Sequence, residues 1–212
     1  AWHFGAGVAG LAALPLTRLD LGCAISDTDL QTFAARRMPL EVLSTRRRVT
    51  ETGAAAFASF PLRQLHCWSS EWTQLPALPS TLTLLLLGHV RGVRDFAPLG
   101  VCTNLVSLKL RSITLSSPDC FAFAQRCPSL CKLTLDSMSA PGGDFSDAFR
   151  SLVRVKQLME LALYGMFGLS DAHVLLLAGD GSAAAFGGRD DERKLVQQER
   201  SGSLGLQLTR LS

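Results

Sequence analysis

A leucine pattern that returns every 20 to 28 residues constrains this chain more than any other feature. It opens as Leu16-x-x-Leu19-x-Leu21 and returns at Leu40/Leu43/Thr45, Leu62/Leu65/Cys67 and Leu82/Leu85/Leu87. Further copies stand at Leu105/Leu108/Leu110, Leu130/Leu133/Leu135 and Leu158/Leu161/Leu163, and another opens at Leu208/Leu211. A unit of this length cannot bury an apolar face alone and must lean on its neighbours. The first two units agree beyond leucine. At an offset of 24 residues Pro15 matches Pro39, Ile25 matches Val49, Asp27 matches Glu51, Thr28 matches Thr52 and Phe33 matches Phe57. Leucine richness by itself would not bring an acid, a threonine and a phenylalanine into register.

Within each copy the second and third leucines alternate as on a strand with one buried face, so the residues between them point to solvent. Helix signals follow the strands. Ser26-Asp27-Thr28-Asp29 reads as a capped start, with Leu30, Phe33 and Ala34 on one stripe. Ser117-Pro118-Asp119 offers an N-cap, a first-turn proline and an acid ahead of Phe121 and Ala124. Ser170-Asp171 leads into Val174 and Leu177, with Gly179 as a stop. The fold class expected is therefore α/β: a solenoid with parallel strands on its concave side and short helices or irregular segments on its convex side. About seven units fill residues 1–178. Pro76 and Pro79 break any helix between the third and fourth units, so an irregular stretch is expected there. Residues 179–205, rich in glycine, serine and charge, read as a disordered insertion, with a decayed repeat as the alternative. Residues 206–212 then begin a further truncated unit, and the whole reads as a piece of a longer array.

Composition narrows the function. A net charge of +3 over 212 residues is far from the dense basic surface of a dedicated nucleic-acid binder. No apolar run reaches the roughly 18 residues that cross a bilayer. The uncharged residues 1–17 read as the outer half of a preceding unit, or else as a truncated signal or membrane segment. Cysteines stand at 23, 67, 102, 120, 127 and 131 without C-x-x-C or metal-ligand spacing to a histidine. They read as buried thiols in a reducing compartment, a disulfide or metal site being the alternative. Asn104 heads no glycosylation sequon. A cytoplasmic or nuclear home is expected, with no metal and no small-molecule cofactor.

Cys-x-x-Leu-x-x-Leu-x-Leu, at 102–110 and 127–135, resembles the cysteine-containing subfamily of leucine-rich repeat proteins. Asp27 and Asp171 resemble that subfamily's turn into the helix, and the likeness covers roughly residues 16–178 plus the last few. It implies a horseshoe fold and a protein-interaction role, commonly as the substrate-recognition array of F-box-type ubiquitin ligases; protist proteins carry similar arrays. The chain departs from the family in two ways. Ala24, Arg48, Val90, Ile113 and Met138 lie near the slot where the family builds a ladder of asparagine or cysteine hydrogen bonds, and no F-box-like segment is present.

Several chemical motifs fail on physical grounds. Gly5-Ala-Gly7-Val-Ala-Gly10 matches a dinucleotide fingerprint but lacks the buried strand before it and the long helix after it. Arg46-Arg47-Arg48 could grip a phosphate, yet a charge run leaving a strand is by default solvated. Ser170, Asp171 and His173 crowd one helical turn and cannot form a nucleophile–base–orienter line. Asp190-Asp191-Glu192 has no rigid frame. No catalytic or metal-ligating residue is assigned.

A partner would meet the outward strand positions. Most are polar, but Trp68, Leu84 and Leu86 fall on adjacent strands as large apolar groups within a polar rim, the look of an interaction hot spot. His66, Ser107, Lys109, Arg111, Lys132, Asp136, Glu160 and Tyr164 are the neighbouring candidates for contact, and Arg18, Asp20, Val42, Ser44, Gln64 and Thr134 complete the outward grid. Leu82 to Leu87 is nearly continuous, so a one-residue shift would instead bury Leu84 and Leu86. The function expected is a non-enzymatic scaffold holding a protein partner. The alternatives are the substrate-recognition segment of an F-box-type ubiquitin ligase and the ectodomain of a surface protein.

Overall fold

A computed structural model describes residues 10–21, 25–46, 49–68, 72–90, 93, 95–115, 120–140, 144–166, 168–178 and 205–209. Residues 1–9 of the glycine-rich start, Cys23-Ala24, Arg47-Arg48, Ser117-Pro118-Asp119, Gly179, Asp190-Asp191-Glu192 and residues 179–204 of the expected insertion lie outside the described residues.

One sheet holds β1 (Arg18–Leu21), β2 (Val42–Thr45), β3 (Gln64–Trp68), β4 (Leu84–Gly88), β5 (Ser107–Arg111), β6 (Lys132–Asp136), β7 (Glu160–Tyr164) and β8 (Gly205–Thr209), in that spatial order. The first seven run parallel, each beside its predecessor in sequence. Parallel neighbours need a crossover long enough to carry the chain back to the start of the next strand, which is why strands recur at the period of the leucines. The register joins Leu19, Leu43, Leu65, Leu85, Leu108, Leu133 and Leu161 in a single file across the sheet, every member buried. A second file runs from half-buried Leu21 through Thr45, Cys67, Leu87, Leu110, Leu135 and Leu163. Thr45 stands at a leucine slot and donates its hydroxyl to the Cys67 sulfur at 3.5 Å, so the polar atom is satisfied within the core.

The crossovers cover one face of this sheet. Helix α1 (Asp27–Ala35) opens on the expected capping box: Asp29 N–H donates to Ser26 Oγ at 3.1 Å, and Ser26 N–H donates to Asp29 Oδ2 at 3.0 Å. It buries Leu30 and Phe33. Helix α2 (Glu51–Ala54), capped by Thr50, runs directly into a 3-10 turn over Ala55–Ser59 and buries Phe57, the counterpart of Phe33. After β4 and β5 the crossovers tighten to 3-10 turns, Ala97–Val101 and Ala122–Arg126. The helix expected around Phe121 and Ala124 is thus a single tight turn. Pro128 stops any helix at Cys127, yet Phe121 and Ala124 are still buried. Helices α3 (Ser146–Val153) and α4 (Asp171–Ala178) close the last two crossovers. Residues 73–83 contain no helix, in line with Pro76 and Pro79.

Aromatic rings fill the space between sheet and crossovers. Phe57 meets Trp72 edge-on at 6.2 Å, Phe96 and Phe123 lie 6.4 Å apart, and Phe145 stacks on Phe149 at 5.8 Å. Trp72 is fully buried, and its indole N–H donates to Val49 O at 2.9 Å, one unit back. The acids brought into register by the 24-residue offset do equivalent work. Asp27 accepts from Thr50 N–H and its hydroxyl, and Glu51 accepts from Thr73 N–H at 2.7 Å and from its hydroxyl. Each carboxylate ties the start of its crossover to the next unit. The bonds from Thr73 also hold the Glu51 carboxyl below its usual range.

Val90, Ile113 and Met138, near the slot where the sequence lacks a recurring asparagine or cysteine, are buried apolar residues. Backbone groups beside them make a ladder instead. His89, Ser112 and Ser137 each follow a strand at positive φ, at 58°, 51° and 55°. Their N–H groups donate to the last carbonyl of the next strand, at Arg111, Asp136 and Tyr164. At the far edge β8 pairs with β7 in the antiparallel sense, Leu161 opposite Leu208 and Leu163 opposite Leu206. A further unit in series would run parallel to β7, whereas Gly205–Thr209 runs against it.

The register makes an asymmetric pair of predictions. Leu85→Ala should destabilise the chain by about 2–5 kcal/mol in urea unfolding. Leu86→Ala, one residue on and on the other face, should lose about 1 kcal/mol or less; equal losses would contradict the register. Burial pushes the Cys67 and Cys102 thiols up to about 11 and raises Cys127. Maleimide at pH 7.5, followed by mass spectrometry of peptides, should therefore modify half-exposed Cys131 well before these three.

Candidate functional site on the solvent-facing side of the sheet

The outward residues form three rows that cross the strands at about 4.8 Å per step. The first is Arg18, Val42, Gln64, Leu84, Ser107, Lys132 and Glu160, and the second is Asp20, Ser44, His66, Leu86, Lys109, Thr134 and Ala162. The third is Trp68, Gly88, Arg111, Asp136 and Tyr164. All eleven positions singled out in the sequence lie in these rows. Leu84 and Leu86 face away from the core and are half-buried, while Leu85 and Leu87 are fully buried, so the strand is not shifted by one residue. Ser44 and Ala162 depart from a wet surface: both are buried, being shorter than the side chains around them.

Trp68 is the most constrained group on this face. Its indole lies directly over Gly88, where an added Cβ would come within 2.5 Å of ring atom Cε3. A glycine inside a strand marks such a close approach. Gly88, closing the leucine run of its unit, is the signal of that contact in the sequence, and leucine periodicity alone passes over it. The Arg111 guanidinium sits 5.6 Å from the indole centroid, and the His89 ring lies 6.5 Å away on the strand-leaving turn. Arg111 Nε in turn pairs with Asp136 at 3.3 Å, so indole, guanidinium and carboxylate run in sequence along the third row. In the first row Lys132 Nζ pairs with Glu160 at 3.1 Å. Lys109, in the middle row, has no ion pair among the described residues. Burial lowers the His66 pKa, against the pull of Asp20 and with a smaller lowering contribution from Arg18.

Two other groupings of polar residues stand outside these rows. Ser170 and His173 do meet, with Oγ 2.8 Å from Nδ1, and the third member is Asp144 of the preceding crossover, whose Oδ1 is 3.3 Å from His173 Nε2. An acid that meets the histidine is thus one unit back along the chain. Ser170 N–H also donates to Nδ1 at 3.1 Å, and Phe145 N–H donates to Nε2 at 3.4 Å, so both ring nitrogens are held by backbone at the starts of the two helices. With Phe145 and Phe149 set edge-on to the ring at 6.1 and 6.0 Å, the histidine pins α4 to α3. The second grouping is an open groove of about 540 Å³ at the leading ends of the strands, lined in part by Glu41, Arg63, Thr81, Thr83 and Asn104. Its donors are already used between units: Thr81 Oγ1 donates to Leu62 O, Thr83 Oγ1 to Arg63 O, and Asn104 Nδ2 to Ser80 O.

Among the described residues no cluster of three or more His, Cys, Asp or Glu side chains could hold a metal ion, and no helix is long and apolar enough to cross a membrane. Arg46 is exposed. Comparison with protein-family models and with curated proteins returned no match to this chain.

Gly88→Ala should dislodge the indole and change the Trp68 contribution to fluorescence, read as the difference from a Trp68→Phe background; an unchanged difference would place the ring elsewhere. Bonds from Ser146 and from His173 hold the Asp144 carboxyl down at about 2, below its ordinary 3.8. A depressed carboxyl stabilises the fold above its unfolded pKa and loses that contribution as pH falls through the folded one. Melting temperature should thus drop between about pH 4 and pH 2 more steeply in the wild type than in Asp144→Asn.

Proposed function

We propose that this chain is a leucine-rich repeat array, curved with its strands on the concave side, and that it serves as a non-enzymatic scaffold for a protein partner. Support for the array comes from seven parallel strands in chain order with leucines in single file. The observation that carries the binding reading is the cluster of Trp68, Leu84 and Leu86 on adjoining strands, outside the core, beside the charges of β5 to β7. Large apolar side chains already held in place lose little entropy on binding, and tryptophan is the residue type most often dominant in interfaces. The flanking charges then select partners and set encounter rates more than they set affinity. A narrower reading, substrate recognition within a ubiquitin ligase, draws on Cys102 and Cys127. Both occupy the same place in adjacent units, are fully buried, and donate to carbonyls of the preceding unit, Pro79 O and Leu99 O.

The test replaces Trp68 and Leu84 together by serine. Proteins retained from a lysate by the wild type should be lost, with the melting temperature changed by only a few degrees. Retention of the same proteins would refute the surface, and collapse of the fold would show these residues to be core.

A further inference from the structure

Lys109 is the cation next to the apolar cluster that has no ion pair among the described residues; Arg18, also unpaired, stands on β1 at the edge of the sheet. Arg111 is committed to Asp136 and stacked on Trp68, and Lys132 is committed to Glu160. Lys109 lies beside Leu86, its register partner on the neighbouring strand, with His66 on the far side of that leucine. Leu84 and Trp68 flank the same row two residues along their strands, about 6.6 Å to either side. Any partner that covers Leu86 therefore also takes water from the Lys109 ammonium. A dehydrated ammonium without an acceptor is heavily penalised, so the occupant of the apolar cluster must bring a negative charge to that point. The requirement is for one charge. A nucleic-acid strand, which needs several uncommitted cations, is a poor fit to a cluster beside which Arg111 and Lys132 are already paired.

We propose, on the basis of the interaction reading above, that the partner is an acidic–apolar peptide segment. A large apolar side chain seats among Trp68, Leu84 and Leu86, and a carboxylate one step away pairs with Lys109. The distance from Leu86 to its neighbour across the strands is about 4.8 Å, which places the partner's acid within about one helical turn, or two extended residues, of its apolar anchor.

The experiment selects a displayed library of random 12-residue peptides against the full chain in three forms: wild type, Lys109→Glu, and the Trp68→Ser/Leu84→Ser double variant. Wild type should enrich peptides holding Glu or Asp within four positions of Leu, Ile, Phe or Trp. Lys109→Glu should enrich Lys or Arg at the same spacing, and a wild-type-selected peptide should bind it at least about tenfold more weakly. Lys109→Gln, which removes the charge without reversing it, should lose the acidic preference and keep the apolar one. If Lys109→Glu enriches the same acidic peptides as wild type, the charge pairing is refuted while the binding face stands. If the double variant still enriches the wild-type peptides, the face itself is refuted and the proposal goes with it. If wild type enriches no such peptides, the proposal is likewise overturned.

Discussion

Burial shared between neighbouring units is the constraint on which the rest of this structure depends. Each unit brings one strand with two inward side chains and a crossover with one or two inward rings. Neither surface can be covered from within the unit. A leucine such as Leu108 has Leu85 on one side and Leu133 on the other, with the crossover phenylalanines facing it across the core. Burial of each such side chain is worth roughly 1.5–3 kcal/mol, while ordering the backbone takes about 1–2 kcal/mol for every residue, including those that bury nothing. A unit therefore becomes stable only when both of its sides are shared.

The polar groups follow the same logic. Trp72 reaches back to Val49, Asp27 reaches forward to Thr50, and Glu51 to Thr73. Cys102 and Cys127 bond to carbonyls one unit earlier, and Gln157 spans to Ala124 and Cys127. Where the side chains of Val90, Ile113 and Met138 have no hydrogen-bonding group, the preceding backbone N–H links to the next strand, in the left-handed conformation that lets it turn that way. Buried polar atoms are thereby satisfied across the junctions that the apolar files have already closed.

The outward face exists because the inward one is specified. With a period of two along a strand, fixing Leu85 and Leu87 in the core leaves Leu84 and Leu86 on the other side. Parallel pairing then puts them beside Trp68 and Lys109 without any local requirement of their own. Gly88 adds the one steric concession that lets the Trp68 indole lie flat enough to meet Arg111. The surface is a by-product of the register that the unit repeat has tuned with a few residues.

The sequence alone determined the period, the inward leucines, the outward rows and the capped start of α1, because these follow from spacing and local chemistry that every unit repeats. It also marked Trp68, Leu84 and Leu86, although the near-continuous Leu82 to Leu87 left their side of the strand open. Only the tertiary structure settled that side, since register depends on which neighbour each strand pairs with. Contacts between units were equally out of reach: the Asp144–His173 bond, the indole over Gly88 and the antiparallel pairing of β8 all join groups whose separation along the chain carries no recurring signal. Repetition is legible one unit at a time, whereas a contact across a junction is decided only when two units have been placed side by side.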